Sequence, residues 1–210
     1  MAVAHHARGF PPGHRVAAPE REWSRFAPVR ICAAVCLTFS LLHLPAQGSR
    51  PSDYDVKAAY IYNFGKFVKW PSASAANQGG AFSICVLGDD PFGSVLQSEL
   101  AGKTLGGQPV RVKQVSKPQD ATSCRVLFIE GTEERHLKEI LDALGRASVL
   151  TVSDISDFSR RGGMIEFVMV GDRVRFAINR ATAEDAGLVL DSELLKVATE
   201  VWENGRRGGP

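Results

Sequence analysis

The sequence predicts an α/β domain: a mostly parallel central sheet with helices on both faces, a long N-terminal helix and a late antiparallel β-hairpin. Three observations carry this prediction. Between residues 82 and 152, apolar runs of strand length alternate with stretches of helical period, the pattern of βαβ units. The runs at 82–87, 124–129 and 149–152 are mostly apolar and do not alternate, as befits strands buried on both faces. Finally, Gly171-Asp172 separates two β-rich stretches by two residues, the spacing of a tight hairpin turn.

The elements follow in order. Residues 53–70 read as the long helix, with Asp53 as N-cap, Asp55 in the first turn, Lys66 and Lys69 in the last, and Pro71 as the stop. Val56, Tyr60, Phe64 and Phe67 form a stripe at helical spacing, widened by Ile61 and Val68. A Pro/Ser/Ala/Asn/Gly loop leads to a strand at 82–87, and Gly88-Asp-Asp-Pro-Phe-Gly93 turns into a helix at 91–100. Strands are expected at 109–115, 124–129 and 149–152, with a helix at 132–144 between the last two. The hairpin joins strands at 164–170 and 173–179. A final helix at 192–204 carries Leu194, Leu195, Ala198, Val201 and Trp202 on its apolar side.

The 210 residues carry a formal charge of +2, which divides unevenly. Residues 1–48 hold five Arg against Glu20 and Glu22, a surplus of +3; the remaining 20 basic and 21 acidic residues give −1. A near-neutral domain lacks the dense basic face of a nucleic-acid binder. Residues 31–44 are apolar but for Thr38, Ser40 and His43. They are too short to span a bilayer, which takes roughly 20 residues, and suit the h-region of a secretory signal. Ala46 and Gly48 are the small residues a signal peptidase needs, so cleavage is expected near Ala46 to Gly48. An uncleaved anchor and a buried core helix are the alternatives. The long Arg- and Pro-bearing stretch ahead of the h-region also suits a later translation start, for example at Val29. The expected domains are a leader at 1–48, a folded, exported domain at 49–205 and a disordered tail at 206–210.

The exported part keeps two cysteines, Cys85 and Cys124. In an oxidising compartment they read as one disulfide, with two buried free thiols as the alternative. Two Cys without a nearby His cannot complete a tetrahedral metal shell, so neither metal nor cofactor is expected. Strand ends of an open α/β sheet are where ligands gather, and here they carry Asp89, Asp90, Glu130 and Asp154. A phosphoacceptor site would add a Lys at a later strand end, where this chain has Asn179-Arg180. Asp89-Asp90 before Pro91 are more simply a turn and cap. His136 is the one histidine after the leader and reads as a solvated helix residue. With no G-x-S-x-G and no P-loop, the chain does not read as an enzyme. Two binding candidates remain: the aromatic helix, through Tyr60, Phe64, Phe67 and Trp70, and a basic, mobile loop at 157–163, through Arg160 and Arg161.

Six blocks in order resemble the YfiR family: Val56-Lys-Ala-Ala-Tyr-Ile-Tyr-Asn-Phe-Gly-Lys-Phe-Val-Lys-Trp-Pro71, Cys85-Val-Leu-Gly-Asp-Asp-Pro-Phe-Gly93, Cys124-Arg-Val-Leu-Phe-Ile129, Thr151-Val-Ser-Asp154, Arg161-Gly-Gly-Met-Ile-Glu-Phe167 and Val174-Arg-Phe-Ala-Ile-Asn179. The resemblance runs from about Val56 to Val201. It implies a periplasmic, non-catalytic α/β protein, often a homodimer, that restrains a membrane-bound diguanylate cyclase by binding its periplasmic part. It also implies a redox-sensitive circuit controlled by an outer-membrane lipoprotein, and it matches Cys85 and Cys124 to the family's disulfide pair. Some relatives carry a second pair flanking the Gly-Gly-Met segment, which this chain lacks. The expected function is therefore to hold down an inner-membrane cyclase or sensor kinase, lowering cyclic-di-GMP and biofilm formation. The rival reading is a periplasmic sensor of a small ligand.

Overall fold

In the computed structural model, which describes residues 51–72, 80–203 and 206–208, Ser52 rather than Asp53 caps the first helix, α1 (Asp53–Phe67). The Ser52 hydroxyl accepts the Asp55 N–H while the Asp55 carboxylate takes the Ser52 N–H, a reciprocal capping box. The helix ends at Phe67, earlier than expected. Trp70 is kept out of the helical region by Pro71, and Val68–Lys69 become a short strand, β1, held antiparallel by β9 (Val189–Leu190). Lys57, Ala58, Ile61 and Phe64 form the buried face of α1.

The nine-stranded main sheet is built from β2 (Phe82–Leu87), β3 (Thr104–Leu105), β4 (Gln108–Val115), β5 (Val126–Ile129), β6 (Leu150–Ser153), β7 (Ile165–Val170), β8 (Arg173–Asn179), β10 (Glu200–Glu203) and β11 (Arg206–Gly208). Their spatial order is β11-β10-β8-β7-β6-β5-β2-β4-β3. The run β4-β2-β5-β6-β7 is parallel throughout. It is a doubly wound order, with its switch point between β2 and β5. β8 returns antiparallel on β7 as the expected hairpin.

Two cores form because successive side chains leave a strand on opposite faces. Ile84, Val86, Val126, Phe128 and Val152 meet α1, α2 (Val95–Leu100) and α5 (Ser192–Val197). Cys85, Leu87, Leu127 and Ile129 meet α3 (Leu137–Leu144) on the other face. The Cys85–Cys124 disulfide lies wholly inside this second core.

Other elements also depart from the sequence expectation: the helix expected at 91–100 starts only at Val95, and Thr104–Leu105 is an unexpected strand. Gly131–His136 is a 3-10 turn, so α3 is shorter than expected; Glu130 caps that turn by accepting the Thr132 N–H. A short helix, α4 (Arg180–Asp185), follows β8, capped by Asn179. The last helix stops at Val197, and Val201 and Trp202 lie on β10, parallel to β8. Their spacing suits a helix, but the edge of β8 supplies backbone partners that a frayed helix end lacks. Arg206–Gly208, expected to be frayed, pairs with β10 as β11. The leader, its apolar run and its cleavage site lie outside the described residues.

The 157–163 loop, expected to be mobile, is packed and hydrogen-bonded. The Glu166 carboxylate accepts the N–H groups of Asp157 (3.0 Å) and Ser159 (3.1 Å) and the Ser159 hydroxyl (2.7 Å). Asn179 donates to the Ser159 carbonyl, and Phe158 is fully buried. A methyl group on Gly163 would run into the Phe158 ring. Gly163→Ala is therefore expected to cost about 1–3 kcal/mol by overpacking, and replacing both Cys85 and Cys124 by Ala about 4 kcal/mol, through the 39-residue loop they close. Urea denaturation measures both; a Gly163→Ala midpoint unchanged from the parent would refute the packed loop.

Candidate functional site

At the strand ends, three side chains from two distant parts of the chain converge. The Lys57 ammonium donates to Asp154 Oδ2 at 2.6 Å, and the Tyr54 hydroxyl donates to the same oxygen at 3.2 Å. Tyr54 and Lys57 are one helical turn apart, so α1 presents both to the end of β6. The ammonium also sits 4.2 Å from the centroid of the Tyr54 ring, which packs edge-on against Phe92. Lys57 is only 8% exposed, and both donors hold the carboxylate through the one oxygen. Tyr54 has its phenol pushed up to about 12, mostly by burial, then by the charge of Asp154 and the hydrogen bond to it, with Glu130 and Asp53 adding further negative charge. A phenolate is disfavoured here.

Beside this knot lies an open cleft of about 380 Å³, bounded by Lys57, Asp154 and Ser156 on one side and residues 166–169 on the other. The crevice between β2 and β5, where doubly wound proteins take anions, is filled by the chain itself. Glu130 places its own carboxylate on the Thr132 N–H at 2.7 Å. Gly88, at φ +94°, packs so closely on Glu130, Thr132 and Glu133 that a Cβ there would lie 3.1–3.3 Å from them. Asp90 accepts the Phe92 N–H, the turn role expected of it. His136 lies largely in solvent with Glu133 3.5 Å away.

The sequence-derived candidates do not form one site. Tyr60 and Phe64 join Phe167 and Phe176 in a cluster of stacked and edge-on rings. Phe64 is fully buried and Tyr60 half-buried, whereas Phe67 is 38% exposed. Trp70 lies beyond α1, donating its indole N–H to the Arg125 carbonyl, with its ring edge-on to Phe82 and the Arg125 guanidinium over its face. Arg160 reaches Asp157 at 3.4 Å and covers the Trp202 ring. Arg161 pairs with Glu134 at 2.9 Å. The sequence reading missed Lys57. Its signal was there: a lysine at the spacing of Ile61 and Phe64, on the face that the stripe marks as buried, requires a buried acid, and Asp154 was already a strand-end acid.

A family model described as YfiR/HmsC-like matches residues 54–199. Among solved structures, a conserved domain protein from Vibrio cholerae O1 biovar El Tor N16961 aligns with TM-score 0.49 and 15% identity, over 72% of this chain and 60% of that one. The ABC domain in complex with L-Trp from Streptococcus pneumoniae aligns with TM-score 0.42 and 11% identity, over 61% of this chain and 60% of that one. The chain thus spans about three-fifths of the length of these solved structures.

The knot makes a titration prediction. Because the Tyr54 phenol ionises near 12 in the folded chain and near 10 when unfolded, its contribution to stability is intact below pH 10 and is lost as pH rises from 10 to 12. Asp154→Asn should bring the Tyr54 ionisation, followed by ultraviolet absorbance, back toward 10. Tyr54→Phe should remove that part of the alkaline loss. Lys57→Met alone should destabilise by about 3 kcal/mol, since it leaves a half-buried carboxylate without its cation.

Proposed function

We propose, for a chain that belongs to the YfiR/HmsC-like family, a regulatory role in the periplasm: binding and restraining the periplasmic part of an inner-membrane receptor. The receptor is proposed to be a diguanylate cyclase, with a sensor kinase as the other candidate, and restraint lowers cyclic-di-GMP and biofilm formation. The family match over residues 54–199 is the observation that carries this reading.

The structure is compatible with it at several points. A disulfide buried in a core suits an oxidising compartment, and among the described residues no helix is long and apolar enough to cross a membrane. Export by a cleaved signal, a homodimer and control by an outer-membrane lipoprotein belong to the same proposal. Restraint requires that the chain bind the receptor's inactive state more tightly than its active one, since equal affinity shifts nothing. Phe67, Trp70 and the 157–163 loop remain the sequence-derived contact candidates. In this reading Tyr60 and Phe64 shape the face from within.

The 380 Å³ cleft beside Lys57 and Asp154 favours a second reading, a sensor of a small ligand. The two separate cleanly. Deleting the gene should raise intracellular cyclic-di-GMP by roughly fivefold or more, the scale of a modest coupling energy, and the purified receptor domain should co-precipitate with the chain. An unchanged nucleotide level with no receptor binding, together with a large thermal shift on adding a small molecule, would instead establish the sensor.

A further inference from the structure

The hairpin β7–β8 extends past the end of β6. β6 pairs with β7 only at Ile165 and Glu166, whereas β8 accompanies β7 to Val170. Four residues of β7, Phe167 to Val170, therefore have a strand on one side and, among the described residues, none on the other. At strand rise this edge is roughly 13 Å long.

The direction of its backbone groups follows from register. Asn179 N–H donates to the Met164 carbonyl at 2.7 Å, so that pair is hydrogen-bonded, and bonded pairs alternate along an antiparallel ladder. Glu166, Val168 and Val170 accordingly bond to β8. Phe167 and Met169 direct their N–H and C=O groups to the open side, into the cleft next to Asp154. β4 also has an uncovered stretch beyond β3, but the charged Arg111 and Lys113 stand along it, the usual guards against strand addition. β7 has no such guard on this stretch. Met169 and Val170 are 51% and 54% exposed.

The surroundings set the charge of what fits. A strand laid along this edge turns alternate side chains toward α1. There it meets Asp154, and the cleft as a whole is lined by two acids, Asp154 and Glu166, against one base, Lys57. Lys57 is already engaged with Asp154. Arg173 and Arg175 oppose Val170 and Val168 and so stand on the hairpin's other face.

We propose that the open edge of β7, Phe167 to Val170, takes an extended segment of a partner protein as an added strand, with basic side chains at alternate positions toward Asp154. Main-chain hydrogen bonds to Phe167 and Met169 supply the grip, and the acids supply the selection. The inference rests on the reading of this chain as a partner-binding regulator, for which it names the contact.

The substitution Met169→Pro tests it, because it deletes an outward N–H and leaves the bonds to β8 in place. The probe is a fluorescein-labelled decapeptide alternating lysine and threonine, followed by fluorescence anisotropy, alongside the purified periplasmic domain of a membrane-bound diguanylate cyclase from the same organism. The parent chain should bind the peptide. Met169→Pro, with an unchanged urea midpoint, should bind it about tenfold more weakly, as for one unmet hydrogen bond. The same peptide with its amides N-methylated should lose binding to the unaltered chain, a test that does not depend on the variant folding. Equal binding by the Met169→Pro variant, by the methylated peptide or by a glutamate-for-lysine peptide overturns the inference, as does a dimer that Met169→Pro converts to monomer. If the cyclase domain binds parent and variant alike, the edge is refuted and the regulatory reading stands. If the peptide binds as expected but the cyclase domain binds neither, that reading fails and the edge stands.

Discussion

The central strands are apolar on both faces, and this constraint organises the rest of the chain. Every residue of β2, β5 and β6 is buried. Such strands must be covered twice, because each uncovered face would leave several Leu-, Val- or Phe-sized side chains in water at about 1.5–3 kcal/mol apiece. α1, α2 and α5 cover one face, and α3 with the disulfide segment covers the other. The second cover is thin: α3 has eight residues and is preceded by the Gly131–His136 3-10 turn. The Cys85–Cys124 bond anchors that layer to β2 from inside.

Against this apolar background the Tyr54–Lys57–Asp154 knot stands out. A half-buried ion pair gains little net stability, since desolvation offsets most of its attraction. What it does supply is position. It ties the N-terminal half of α1 to the end of β6, leaving the cleft open between that end and the longer β7. The anion site of the doubly wound fold is meanwhile closed by Glu130 and Gly88. The accessible chemistry of this face has therefore moved from the β2–β5 crevice to the β6–β7 side, where carboxylates and strand edge lie together.

Much of the fold was legible because it rests on local pattern. The two-residue Gly171-Asp172 turn, the mostly apolar strands and the apolar stripe of α1 are each set by residues close together in the chain. What was misread has a common cause in partners distant in sequence. Val201 and Trp202 are spaced for a helix, yet the edge of β8 captures them. Val68 leaves α1 because β9 waits for it. Arg160 and Arg161 look like a free basic loop in one dimension. In three dimensions Glu166 pins the loop, and Asp157, Trp202 and Glu134 engage the two guanidinium groups.

By itself, the sequence determined the α/β class, the strands of the parallel core, the hairpin, and the two cysteines that share one layer. Periodicity and turn chemistry are properties of neighbours along the chain, so they survive without coordinates. It also marked Asp154 as a strand-end acid and Phe64 as apolar. Only the tertiary structure decided that Lys57 answers Asp154, that Phe64 belongs wholly to the core, and that β7 outruns β6 to leave an open edge. Those outcomes depend on which strand lies beside which and where each one stops. Strand order and length difference arise only when the sheet closes its pairings, and no local pattern records them.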